Sequence, residues 1–287
     1  MPTQLLSRPG GTIAYDDQGS GPLVLCAPGL GDLRGEYRFL APRLVAAGYR
    51  VVTMDLRGHG ESSTGWHDYS KAAIGSDIVA LIRHLNIGPA RVIGNSYAGG
   101  AAVCAAAEAP ELVAGIVLID AFVRDTGPAW QRRVMGALYS VLFGGPWGVA
   151  LWKWFYPHEY PTRKPDDLPA YLNVLLANLR ERGRLSAVRA MMIGGSADSE
   201  GCLGAVRCPA LVVMGTRDPD FKRPQDEAAW IAAQVHGAVH MIEGAGHYPH
   251  AELPDATAPA IVAFFDSLAQ QTGPAGNESE SAAAHGD

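Results

Sequence analysis

Ser96, Asp218 and His247 are the residues of this 287-residue chain whose types and order suit nucleophilic chemistry. A serine hydroxyl is a weak nucleophile at neutral pH and needs a base within hydrogen-bond reach. A histidine takes that proton and returns it to the leaving group, while a buried carboxylate fixes the imidazole tautomer and stabilises the imidazolium as it forms. Acyl transfer also needs two backbone N–H donors for the oxyanion. Tyr97, which follows the serine, and Leu30, in a loop after an earlier strand, are the candidates. The acid has two alternatives: Asp120, which ends the apolar run 115–120, and Asp220. Asp218 is favoured because it follows the strand preceding the histidine loop.

These residues need elements to hold them. Arg91-Val92-Ile93-Gly94-Asn95-Ser96-Tyr97-Ala98-Gly99-Gly100 reads as a strand turning sharply into the alanine-rich helix that follows, with Ser96 at the apex. Such a turn strains the serine backbone and admits only small residues two positions away on either side, here Gly94 and Ala98. Strands are expected over 12–15, 23–27, 50–54, 115–120, 210–214 and 239–242. Helices are expected over 37–47 (closed by Gly48), 69–85, 171–192, 226–235 and 255–268. Strands alternating with helices over the first 120 residues argue for a parallel sheet, whose ligands meet the loops at the carboxyl ends of the strands. Leu30, Asp55, Ser96 and Asp120 all fall at such ends. From 122 to 197 the rhythm changes to a helical insertion crowded with Trp130, Tyr139, Phe143, Trp147, Trp152, Trp154, Phe155 and Tyr156, which predicts an apolar cavity beneath it.

Hydrophobic residues at 48% and charged residues at 18% suit a packed globule, and a net charge of −6 gives no reason to expect nucleic acid or an anionic membrane as partner. Cys26, Cys104, Cys202 and Cys208 form no C-x-x-C pair and read as reduced thiols. With no long apolar segment near residues 1–11 and none long enough to span a bilayer, the expected location is cytoplasmic. His250 lies three residues after His247, but no third ligand accompanies them, so no metal is expected and His250 reads as a surface or supporting residue. His59 reads as structural or as the pocket floor, and Arg57 as a buried donor to backbone. The Gly29–Gly31 loop matches no phosphate-binding pattern, and no cofactor is expected.

The ordered set resembles the α/β-hydrolase superfamily over nearly the whole chain. Asp55-Leu56-Arg57-Gly58-His59-Gly60-Glu61-Ser62 is similar to the D-x-R-G-x-G-x-S stretch of its capped members, and Gly246-His247-Tyr248-Pro249 with Glu252 and Pro254 to the segment around its catalytic histidine. The resemblance implies a mostly parallel eight-stranded sheet with helices on both faces and a helical cap. The core would span 1–121 and 198–269, the cap 122–197, and a disordered tail 270–287. It further implies a serine esterase or lactonase acting on a small apolar substrate. Ser96 stands where dehalogenating and epoxide-opening members carry aspartate, which disfavours those activities. Pro28 precedes Gly29-Leu30 where the family often has His-Gly-x, a change that keeps the backbone donor but bears on its aim. A carbon–carbon bond hydrolase is a second reading, from the bulky residue after Gly94-Asn95-Ser96; Ala98 before Gly99-Gly100 and Tyr248 after His247 depart from that group. A ligand sensor with negligible turnover is a third.

Overall fold

The computed structural model describes residues 2–145 and 147–271. Its strands are β1 (Gln4–Arg8), β2 (Gly11–Gln18), β3 (Leu23–Ala27), β4 (Arg50–Met54), β5 (Ala90–Asn95), β6 (Val113–Ile119), β7 (Ala210–Gly215) and β8 (Ala238–Ile242). They form one sheet in the order β1-β2-β4-β3-β5-β6-β7-β8. The β1–β2 and β2–β4 pairs are antiparallel and all the others parallel. Helices α1 (Leu40–Ala46), α2 (Lys71–Leu85) and α3 (Tyr97–Glu108) punctuate the first half. Then come α4 (Ala129–Leu142), α5 (Gly148–Phe155), α6 (Leu168–Leu179), α7 (Arg184–Gly194) and α8 (Ala197–Cys202) between β6 and β7. The chain closes with α9 (Pro224–Val235), α10 (Pro249–Glu252) and α11 (Pro254–Gln271).

The central strands are apolar throughout because successive side chains enter different cores. Leu23, Leu25, Val92, Ile116, Leu118, Val212 and Met214 join one cluster, which Ile74 and Ile78 of α2, Ala101 and Ala105 of α3 and Ile231 of α9 complete. Val24, Cys26, Ile93, Val117, Ile119 and Val213 face the other side, against Leu40 and Leu44 of α1 and Ile261 and Phe265 of α11. A third cluster gathers Phe143, Trp152, Tyr156, Tyr160, Tyr171 and Leu175 from the helices between β6 and β7, together with Tyr248 and Ala251 from the histidine loop.

Some expected elements shift. The 37–47 helix begins instead as a 3-10 turn over Arg34–Arg38, with α1 following. The 171–192 helix is two, α6 and α7, broken where Gly183 takes φ +90°. β1 was not foreseen as a separate strand. The closing helix runs to Gln271, so the first two residues of the expected tail are helical, and 272–287 lie outside the described residues. The four cysteines are free thiols. Among the described residues no helix is long and apolar enough to cross a membrane.

Candidate active site

Ser96 sits between β5 and α3 at φ +53°, ψ −119°, a backbone state that L side chains rarely adopt. Its amide donates to the Ile119 carbonyl at 2.9 Å, and its own carbonyl accepts from Gly99 and Phe122. The turn is tight enough that a Cβ on Gly94 would run into the Ala98 carbonyl, and one on Gly99 into Ala121. Asn95 Nδ2 donates to the Ile119 and His247 carbonyls, each at 3.2 Å, and so ties this turn to the histidine loop.

His247 Nδ1 lies 2.7 Å from Asp218 Oδ2, both side chains being buried. Burial works hardest against a charge on His247, but Asp218, with Asp220 and Glu159 adding to it, holds the imidazole well above its ordinary pKa. Burial likewise opposes the Asp218 charge, but His247, helped by hydrogen bonds from Asp120 and the Asp220 amide, brings Asp218 below its ordinary value. The alternative acids occupy other places. Asp220 Oδ2 is 3.8 Å from His247 Nδ1 on a partly exposed side chain. Asp120 accepts the Gly215 amide at 3.0 Å and stands behind Asp218. Burial first, and the Asp218 charge second, push the Asp120 carboxyl far up, so it stays a neutral acid that keeps its proton and donates it in a hydrogen bond toward Asp218.

Glu159 was not foreseen. It ends the 3-10 turn Tyr156–Glu159 and is buried, with no hydrogen-bond partner for Oε2 among the described residues. Polar atoms of Glu159, Asp218, Asp220 and His247 lie within 4.8 Å of one another. Because Asp218 already occupies His247 Nδ1, the grouping serves the imidazole better than it would serve a cation. Burial raises the Glu159 pKa to about 8. Its backbone carbonyl accepts the His247 amide at 3.0 Å, and the approach is so close that a Cβ on Gly246 would strike that carbonyl and Pro161.

The loop carrying Leu30 is clamped on both sides of that residue. Glu36 Oε2 accepts the Gly29 amide at 2.8 Å, and His59 Nε2 accepts the Gly31 amide at 2.9 Å. Leu30 N–H has no acceptor among the described residues, nor does the Tyr97 N–H at the first position of α3, where a helix leaves its amides open. A Cβ on Gly29 would come 3.0 Å from Asn95 Oδ1 and 3.3 Å from Ser96 Cβ, which measures how closely the loop packs on the serine. His59 Nδ1 is 2.8 Å from the Arg57 carbonyl, so the ring is a neutral tautomer donating there and accepting from Gly31. Burial drops its pKa to about 4. His250, expected at the surface or in support, is fully buried: it stacks on Tyr37 and places Nε2 2.9 Å from Glu36 Oε1. Burial pushes this pair toward neutrality, Glu36 up to about 8 and His250 down to about 3. Asp32 accepts the hydroxyls of Tyr156, at 2.6 Å, and Tyr171.

The Asp55–Ser62 stretch is scaffolding for this loop. Asp55 accepts the Arg34 amide at 2.8 Å and the Glu61 amide at 3.0 Å, and a Cβ on Gly60 would collide with its carboxylate. Arg57, expected to serve backbone, donates once to the Asp68 carbonyl, while its main partner is Asp77, in a bidentate pair at 2.5 and 2.9 Å.

Leu30, Ser96, Tyr97 and His247 line one cavity of about 1090 Å³, with Asp218 behind His247. The wall given by residues 139–155 is apolar as expected, from Tyr139, Leu142, Phe143, Leu151, Trp152 and Phe155. Elsewhere it is charged, with Lys71, Arg124, Asp125, Arg133 and Asp220, so the cavity as a whole is mixed rather than apolar. A serine hydroxyl, an imidazole paired with a carboxylate, and two backbone amides without acceptors among the described residues thus border one space.

The sequence has known counterparts. The model of a family described as the alpha/beta hydrolase family matches residues 24–260. The chain is similar to 3-oxoadipate enol-lactonase 2 of Acinetobacter baylyi, at 28% identity over 221 residues, covering 76% of this chain and 79% of that protein. It is similar to (E)-2-((N-methylformamido)methylene)succinate hydrolase of the same organism, at 24% identity over 259 residues, covering 89% and 95%. A bromoperoxidase from Bacillus anthracis superposes with a TM-score of 0.80 at 19% identity, over 92% of this chain and all of that one.

Proposed function

The chain belongs to the alpha/beta hydrolase family, and from that premise we propose that it is a serine hydrolase cleaving a carboxylic ester or lactone through an acyl-enzyme on Ser96. The observation that carries this reading is the buried 2.7 Å His247–Asp218 pair, whose imidazole shares a cavity with Ser96 and the open amides of Leu30 and Tyr97. His247 takes the Ser96 proton as Oγ attacks the substrate carbonyl, and the two amides hold the oxyanion. Collapse breaks the bond to the alkoxide, which leaves with the proton from His247. Water, deprotonated by the same histidine, then attacks the acyl-enzyme, and the acid departs as Ser96 recovers its proton. In a lactone the released alkoxide stays tethered to the acyl chain until that second step. The lactonase named among the relatives supports this class.

Intact-mass analysis after treatment with a fluorophosphonate tests the reading. Wild type should gain one phosphonyl group and Ser96→Ala none, with turnover of short-chain esters falling by several orders of magnitude in the variant. An unlabelled wild type, or equal ester turnover in both proteins, overturns it.

A further inference from the structure

Lys71, the first residue of α2, is 1% exposed. Its Nζ donates to the Gly195 carbonyl at 3.0 Å and the Ser196 hydroxyl at 2.5 Å, and lies 4.4 Å from the centre of the Tyr97 ring. An ammonium has three N–H donors, so these bonds leave one without a protein acceptor. Among the described residues no carboxylate is ion-paired with it. A buried cation with no carboxylate in direct contact is unfavourable, and its position in the first turn of a helix sets it against the positive end of the helix dipole. Burial accordingly lowers the Lys71 pKa to about 8, with Asp198 and Asp125 acting in the opposite sense. The fold nevertheless makes room for this side chain: a Cβ on Gly100, one turn into α3 from Ser96, would run into its methylenes. Lys71, Tyr97, Gly195 and Ser196 line the same cavity as Ser96 and His247.

We propose that Lys71 is the anion-binding group of this cavity, and that the ester or lactone cleaved at Ser96 carries a carboxylate which the Lys71 ammonium holds beside Tyr97 and Ser196. A carboxylate there supplies the direct ion-pair contact that Asp198 and Asp125 do not make, and accepts the remaining N–H. The inference rests on the serine-hydrolase reading for the bond that is broken, and on Lys71 alone for where the anion sits.

The kinetic test uses pairs of p-nitrophenyl esters of glutaric, adipic and pimelic acid, each with its far end as free carboxylate or as methyl ester. In wild type the ratio of kcat/KM, acid over methyl ester, should reach on the order of tenfold or more at the chain length that spans the two groups, the scale of one charge-assisted hydrogen bond. Lys71→Met should bring the ratio to one or below, and Lys71→Arg should keep it above one. The ratio compares two substrates on one protein, so a general loss of activity leaves it readable. A wild-type ratio of one at every length, or a preference that survives in Lys71→Met, overturns the proposal. A binding arm separates this from failure of the hydrolase reading. Monomethyl glutarate should raise the Tm of Ser96→Ala more than dimethyl glutarate does, and that difference should vanish in Ser96→Ala/Lys71→Gln. If no ester is turned over, the hydrolase reading fails and this arm still decides for or against Lys71; equal shifts from acid and diester decide against.

Discussion

His59 holds Gly31 by accepting its amide proton at 2.9 Å, and can do so only while the imidazole is neutral. The unfolded chain protonates this residue near 6.5, whereas the folded chain resists until about 4. Between those values the unfolded state binds more protons, so stability falls as the solution is acidified from pH 6.5 toward 4. The full contribution is present above 6.5, and its size is on the order of 3 kcal/mol. Thermal melts from pH 4 to 8 should show a shallower acid decline in His59→Gln than in wild type. Parallel curves would mean that other groups set the acid limit.

The acid assignment separates by substitution. Asp218→Asn removes the charge 2.7 Å from His247 Nδ1 and should lower kcat by roughly a thousandfold to ten-thousandfold. Asp220→Asn, whose oxygen is 3.8 Å away and partly in solvent, should stay within about tenfold of wild type. Asp120→Asn keeps a neutral donor toward Asp218 and should be milder still, since Asp120 is already uncharged. Steady-state kinetics on the three variants decide it, and equal losses in the first two would move the role.

Glu159 should be visible in the pH profile. Its charge, which appears as pH rises through about 8, favours the imidazolium of His247. Glu159→Gln removes that charge, so the acid limb of kcat/KM should move to lower pH, by roughly half a unit to one unit. A limb that stays in place, with activity reduced equally at all pH, would assign Glu159 to packing alone.

The serine turn tolerates no added carbon at Gly94. Gly94→Ala should destabilise by about 3 kcal/mol or more and lower fluorophosphonate labelling, because the new methyl meets backbone rather than a movable side chain. Ala98→Gly should cost about 1 kcal/mol of helix propensity and leave labelling intact. Urea unfolding beside labelling rates reads both, and an unchanged Gly94→Ala protein would refute the crowded geometry.

Much of the sheet was legible because β3, β5, β6 and β7 are continuous apolar runs that only a two-faced core explains. Ser96 and Asp218 stood out as candidates for a related reason, since each follows such a run, whereas His247 follows the mostly exposed β8 and stood out only through its Gly246-His247-Tyr248-Pro249 setting. β1 escaped because Leu6 is its one buried residue, and an edge strand needs little apolar signal. The break between α6 and α7 escaped because Leu176 and Ala187, about three helical turns apart, would share one face of a continuous helix, and only the left-handed Gly183 marks the stop. Glu159, Glu36 and Lys71 carry no local pattern. Glu159 meets His247 88 positions away, Glu36 meets Gly29 at 7 and His250 at 214, and Lys71 meets Gly195 and Ser196 at 124 and 125; the Glu159 and Lys71 contacts follow from how the 122–197 segment folds back. Charge in the cavity was missed for the same reason: polar residues of that segment gave no sign of which way they would turn.

The bond from the Glu159 carbonyl to the His247 amide has a consequence for how such proteins can be recombined. The segment that supplies much of the cavity lining also carries one of the struts that fix the His247 loop, so this roof is not an interchangeable part. A chimera that takes residues 122–197 from a relative would inherit a different strut and, with it, a different aim for the imidazole, even if both halves folded well. Exchanging the roof together with the 244–252 loop would keep the two matched.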